Sequence, residues 1–392
     1  MTWRETTLGE IVTLQRGHDL TEEERRPGNV PVMGSNGRNG WHDTVRMPGP
    51  GVTVGRSGAS AGVVHFVRED YWPHNTALYV TDFKENSPRF IAYLLSTLDL
   101  RNFNSGSAQP SLNRNFLYPL RVYLPDRHNQ DRIASILSAY DDLIENNTRR
   151  IAVLEEMARR IFEEWFVHFR APGCETLPRI GTSLGPVPKG WEVVRLSEAF
   201  ETGSGGTPNR KNSDFYDGSI PWVKTKELGG GAIFETEECI SELGLRSSSA
   251  KLFPRNTVLV AMYGATIGET SILQVDAATN QACCAVWPKR PGIGWAFTLL
   301  MMLVNKGRLV ELRHGAAQQN VSQAVIRNLE VSVPSQKIGI EFEGVCQPIL
   351  SLAFNLQAQN RNLRAQRDLL LPRLISGEID VSAAPAHLEA AE

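Results

Sequence analysis

The sequence predicts an α+β protein: two similar globular domains separated by two long antiparallel coiled-coil helices, with an internal pseudo-twofold repeat. Three observations carry this. First, motifs recur in order. Trp3-x4-Leu8-Gly9-Glu10 returns as Trp191-x4-Leu196-Ser197-Glu198. Val52-Thr53-Val54-x3-Gly58-Ala59-Ser60-x-Gly62 returns as Val258-Leu259-Val260-x3-Gly264-Ala265-Thr266-x-Gly268, and Gly106-Ser107-Ala108-Gln109 as Gly315-Ala316-Ala317-Gln318. Second, the offset grows from 188 (191−3) through 206 (258−52) to 209 (315−106), so the second copy carries insertions. Third, each copy ends in a long stretch whose apolar residues step by four and three, the signature of a helical seam.

Residues 1–125 read as the first mixed domain. Gly51–Val67 and Thr76–Val80 have strand character, Pro88–Leu98 helical character, and Leu120–Leu124 a closing strand. Residues 34–40 and 104–115, rich in Gly, Ser and Asn, read as exposed loops. The first long helix is expected over 126–170, with the seam Ile133, Leu137, Tyr140, Ile144, Asn147, Ile151, Leu154, Ala158, Ile161, Trp165, His168. A helix of about 40 residues is about 60 Å long. Residues 171–190, with four prolines among glycines, read as a linker, and 191–334 as the second mixed domain. The second long helix is expected over 335–377, with a seam from Phe342 through Val345, Ile349, Leu352 and Leu356 to Leu370. Residues 378–392 read as a disordered tail. At an offset of 212, Gln359 falls on Asn147 (359−147), and these two are expected to fix the register of the helix pair.

Composition narrows the function. A net charge of −2 and a pI near 6.5 count against a protein that coats nucleic acid unaided. They leave room for local basic loops, or for a partner that supplies charge. The five cysteines form no CxxC pair and fit no zinc spacing, and Cys283-Cys284 reads as core strand. The start has no signal core, and Trp295–Val304, the longest apolar run, is about half a membrane span. The expectation is a cytoplasmic protein with no membrane segment and no bound cofactor.

Catalytic constellations are missing. The sequence has no Gly-x4-Gly-Lys-Ser/Thr loop, no Asn/Asp-Pro-Pro-Tyr tetrapeptide and no His-Glu-x-x-His. A chain built twice from one unit suits a two-part recognition surface better than an active site, and a duplex with two half-sites offers two such places. Arg and Lys suit guanine edges, Asn and Gln adenine edges. The candidate contacts in the first domain are Arg38, Asn39, Arg56, Gln109, Asn113 and Arg114. Those in the second are Lys211, Lys224, Lys226, Tyr263, Arg313, Gln318, Gln319 and Asn320. The paired loops 106–115 and 315–323 stand out because they hold equivalent places in both copies.

On these residues the chain resembles the specificity (S) subunit of type I restriction–modification systems. The resemblance rests on the Trp-x4-Leu-Gly/Ser-Glu openings and on Gly185-Pro-Val-Pro-Lys-Gly-Trp191. It rests also on Leu124-Pro125 and Val333-Pro334 leading into long helices, and on the closing Leu374-Ile-Ser-Gly-Glu-Ile379. It implies two target-recognition domains, each reading one half of an asymmetric, bipartite site in double-stranded DNA. The long helices would set the spacing and dock two methyltransferase (modification) subunits, and a motor-nuclease (restriction) subunit would join for cleavage. S-adenosylmethionine, ATP and magnesium would belong to those partners, and this chain would be non-catalytic. Phe162, Trp165 and Phe166 are expected at the docking surface; left bare they would make a sticky patch. The rival readings are a stand-alone DNA methyltransferase or nuclease with unrecognised motifs, and a two-headed DNA-binding regulator without enzymatic partners.

Overall fold

The computed structural model describes residues 3–103, 111–229, 231–314 and 320–382, without the side chains of 313 and 314. The chain divides into two compact units, residues 1–145 with 362–392, and residues 146–361. Both long helices contribute to both units.

In unit 1 the strand Trp3–Thr7 pairs antiparallel with Arg121–Pro125, so the domain's two ends close on each other. The main sheet orders Thr13–Arg16, Ala77–Asp82, Gly51–Gly55 and Val64–Val67, all antiparallel. A three-stranded sheet combines Gly37–His42, Val30–Gly34 and Trp72–Pro73. The helix Pro88–Thr97 starts on proline, whose missing N–H costs nothing in a first turn. Its Phe90, Ile91 and Leu95 are fully buried against Val52, Val54 and Leu78. Ile133 and Leu137 of the first long helix and Leu374 and Ile375 of the second complete this core.

Unit 2 repeats the plan with additions. Glu192–Arg195 pairs with Glu330–Val333 as the closing strands. The main sheet orders Phe200–Ser204, Cys283–Pro288, Val258–Ala261 and Thr270–Leu273, the same succession as in unit 1, with Gly231–Ile233 added in parallel at one edge. That extra strand, with Ile220–Val223, Cys239–Ile240 and Leu252–Phe253, lies between Ser204 and Val258. This is where the offset rises from 188 to 206. The repeated Gly58 and Gly264 have φ of 75° and 70°, a left-handed turn after the central strand that a side chain would strain. Cys283 and Cys284 are fully buried strand residues, as expected.

The long helices run Arg127–Phe162 and Gln336–Ile375. They pair antiparallel within each unit. In unit 1 Arg367 meets Asp141 at 2.6 Å, and Arg132 donates to the Ser382 carbonyl. In unit 2 Asn360 donates to Thr148 at 3.2 Å, and Gln357 to Glu155 at 3.0 Å.

Four expectations need correction. The second seam is only partly as expected: Val345 and Leu352 are exposed, Phe342 and Leu356 are buried and Ile349 packs at the edge of the core, and the other inward positions are Cys346, Leu350, Ala353, Phe354 and Asn360. After Phe342 the helix takes two steps of four. This keeps the 3.6-residue period of a straight helix lying on its domain, rather than the 3.5 of a supercoil. The same shift exposes Gln359 and buries Asn360, so Asn147, itself 1% exposed, does not pair with Gln359. The polar contact is Thr148–Asn360, a pair also 212 apart (360−148).

Second, Phe162 and Phe166 are 4% and 6% exposed, and Trp165 is half-buried. Phe166 lies 4.7 Å from Phe342, 4.9 Å from Phe297 and 5.4 Å from Trp191, ring centre to ring centre. These aromatics are the core of unit 2, not a bare docking patch. Third, residues 171–190 are no bare linker: Arg179–Thr182 and Gly185–Pro188 form a hairpin, and Ala171, Cys174 and Val187 are buried in unit 2. Fourth, residues 378–382 are ordered, with Glu378 paired to Arg373 at 2.9 Å and Val381 buried in unit 1. The rest of the expected tail lies outside the described residues.

Candidate nucleic-acid interface

Three segments converge in unit 1. The edge strand Thr13–Arg16 exposes Gln15 and Arg16. The turn after the central strand presents Arg56 and Ser57. The short helix Arg114–Leu117 is capped by Asn113, whose side chain accepts from the Asn115 N–H. A backbone bond from the Leu112 N–H to the Arg56 carbonyl, 2.9 Å, locks the last two together. Between them lies an open cleft of about 970 Å³ lined by Gln15, Arg16, His18, Arg56, Asn113 and Arg114. Asp19 also lines the cleft and pairs with Arg16, so its surplus positive charge comes from Arg56 and Arg114, a local cationic surface on a chain of net charge −2.

The groups are held in place. Arg114 Nη1 donates to the Leu14 carbonyl at 2.9 Å. Arg56 donates to the Asn75 carbonyl. Arg16 pairs with Asp19 at 3.0 Å. Burial, helped by Arg46, depresses His18 below the usual histidine range, so at neutral pH its ring is neutral, with Nε2 3.2 Å from the Tyr79 hydroxyl.

Unit 2 builds the same arrangement with other residues. The Val321 N–H donates to the Met262 carbonyl at 3.0 Å, matching Leu112 and Arg56. Ser322 caps Gln323–Arg327 as Asn113 caps its helix. Gln323 Nε2 donates to Thr202 Oγ1 at 3.0 Å, matching Arg114 and Leu14.

The other expected contacts are scattered. Arg38 and Asn39 are exposed on the three-stranded sheet and do not line the cleft; Arg38 lies over Trp41 at 4.6 Å, and the Asn39 carbonyl accepts from Arg25. Lys211 and Asn320 are exposed. Tyr263, 40% exposed, precedes the Gly264 turn. Lys224 pairs with Glu238 and Lys226 with Glu237, so neither is an unneutralised cation. Gln109, Gln318 and Gln319, and the side chain of Arg313, lie outside the described residues. Sequence reasoning missed Gln15, Arg16 and His18, and singled out the loop 315–323 without naming its last residue, Gln323. The last was within reach, since the offset of 209 that links the Gly-x-Ala-Gln loops carries Arg114 onto Gln323 (323−114).

Among the described residues no helix is long and apolar enough to cross a membrane.

Known proteins give the arrangement its context. The family described as type I restriction modification DNA specificity domain matches twice, over residues 1–156 and 188–342. The MjaIX specificity subunit of Methanocaldococcus jannaschii, named a type I restriction enzyme subunit, is 28% identical over 74% of this chain and 69% of its own. The HindI specificity subunit of Haemophilus influenzae, named likewise, is 25% identical over 69% of this chain and 71% of its own. A crystal structure of a type I restriction-modification S subunit from M. genitalium shares the fold. Its TM-score is 0.69 at 16% identity, covering 95% of this chain and 96% of that one. With both copies of its repeat matched, the chain belongs to the family of type I restriction–modification DNA specificity subunits.

Proposed function

We propose that this chain is the DNA-recognition subunit of a type I restriction–modification complex. Each domain reads one half of an asymmetric bipartite site in double-stranded DNA. The long helices set the spacing between the halves and dock two methyltransferase subunits, and a motor-nuclease subunit joins for cleavage. S-adenosylmethionine, ATP and magnesium belong to those partners. The chain itself is non-catalytic and works in the cytoplasm.

One observation carries this reading. The two units lock the same turn to the same short helix, through Leu112–Arg56 and Val321–Met262, yet place different side chains around it. A conserved scaffold with divergent reading groups is what two unlike half-sites require, since base contacts specify while phosphate contacts position. With Phe162 and Phe166 in the core, docking falls to outward side chains such as Val153 and Met157, 59% and 45% exposed.

The test is a domain exchange. Residues 191–334 are replaced by the corresponding segment of a relative, and the methylated motif of the assembled complex is read by methylome sequencing. One half of the motif changes and the other stays. If both halves change together, or the parent complex methylates no bipartite motif, the reading fails.

A further inference from the structure

The repeat sets two unlike side chains at one point of two similar scaffolds. Arg114 opens its short helix and donates one N–H to the Leu14 carbonyl; Gln323 opens its own and donates one N–H to Thr202 Oγ1. Arg114 and Gln323 are 209 apart (323−114), and Leu14 and Thr202 are 188 apart (202−14), the offsets of their own repeat segments. The two contacts therefore join equivalent positions in the two copies, one side chain tied to a main-chain carbonyl and the other to a side-chain hydroxyl.

Each side chain is anchored by part of its polar edge. Among the described residues, Arg114 keeps Nε and Nη2 without a partner, and Gln323 keeps Oε1. An anchored long side chain loses less rotamer freedom when its remaining edge is engaged. The two edges differ in kind. A guanidinium offers parallel donors, which fit O6 and N7 of guanine. A carboxamide offers a donor and an acceptor, which fit N7 and N6 of adenine.

We propose that Arg114 and Gln323 are one specificity-determining position in two copies, Arg114 selecting a guanine in one half-site and Gln323 an adenine in the other. This rests on the DNA-reading function proposed above.

The experiment uses the full chain assembled with its modification subunits and reads the methylated motif. R114Q is expected to lower the preference for guanine at one position of one half-site by roughly 5- to 150-fold, leaving the other half unchanged. Q323R does the reverse at one adenine of the other half. R114K keeps the charge and a donor for the Leu14 carbonyl, so it should fold where R114Q fails, and it relaxes the same position because it lacks the paired donors. A purely structural tie would lower yield or melting temperature and leave the motif intact. An intact motif in folded R114K and Q323R complexes overturns the proposal while leaving the bipartite reading standing. A parent complex without a bipartite motif overturns both.

Discussion

Phe166→Ala unfolds unit 2 locally. Amide hydrogen exchange in Trp295–Val304 should accelerate by about two to four orders of magnitude, the equivalent of about 3–5 kcal/mol for truncating a buried phenylalanine. The size follows from the surroundings. Phe166 is 6% exposed and its ring lies within 5.4 Å, centre to centre, of Trp191, Phe297 and Phe342. Those three come from the domain's opening strand region, its main helix and the second long helix. One cavity therefore loosens three elements at once, and close-packed interiors relax only partly around such a gap. The effect appears in the isolated chain, because these rings are covered by the chain itself. Acceleration below tenfold would mean that Phe166 is not a core residue, and would restore it as a docking side chain.

Glu343→Leu should cost about 2–4 kcal/mol, because it strands buried backbone donors. Glu343 stands on the second long helix, and its carboxylate accepts from the N–H groups of Gly294, Ala296 and Phe297 at 3.0, 3.3 and 2.8 Å. Gln347 donates to it from one turn along the helix. The carboxylate thus caps the helix Trp295–Val304 from outside, where the macrodipole favours negative charge. Unit 1 uses a neutral version: the Gln130 carboxamide accepts from the Ser87 N–H, just ahead of Pro88–Thr97.

The ionisable version carries a pH signature. Burial raises Glu343 above its ordinary value, outweighing the hydrogen bonds that lower it. The folded chain therefore holds this proton more tightly than the unfolded chain. The group's contribution to stability is full below the unfolded value and is lost as pH rises through the raised one. Glu343→Gln keeps an acceptor and removes the charge, so it should flatten that slope at little cost. Urea unfolding of the full chain across this pH range measures both variants. An unchanged slope in Glu343→Gln, or a loss under 1 kcal/mol in Glu343→Leu, would contradict the cap.

Much of this architecture was legible in the sequence because it depends on local pattern and on repetition. The helix at Pro88, the buried strand at Cys283 and both long helices declare themselves through proline placement, apolar runs and period. What stayed hidden depends on contacts distant in sequence. Whether Phe162 and Phe166 meet a partner or their own domain turns on Phe297 and Phe342, more than 130 residues away (297−162). Lys224 and Lys226 look like free cations until the chain returns with Glu237 and Glu238. The slip from Gln359 to Asn360 is one residue, and a heptad template cannot see it, because steps of four and three fit a coiled coil and a domain-packed helix almost equally well. In the cleft, the charged members of two loops were visible, but the edge strand holding Gln15 and Arg16 gave no signal of its own.

In the proposed function the long helices set the spacing between the two half-sites. The most direct test of this adds one matched heptad to each long helix and sequences the motif methylated by the assembled complex. Seven helical residues add about 10 Å, the rise of about three base pairs. If the helices set the spacing, both half-sites stay unchanged and the spacer grows by about three base pairs. An unchanged spacer, or altered half-sites, would contradict it.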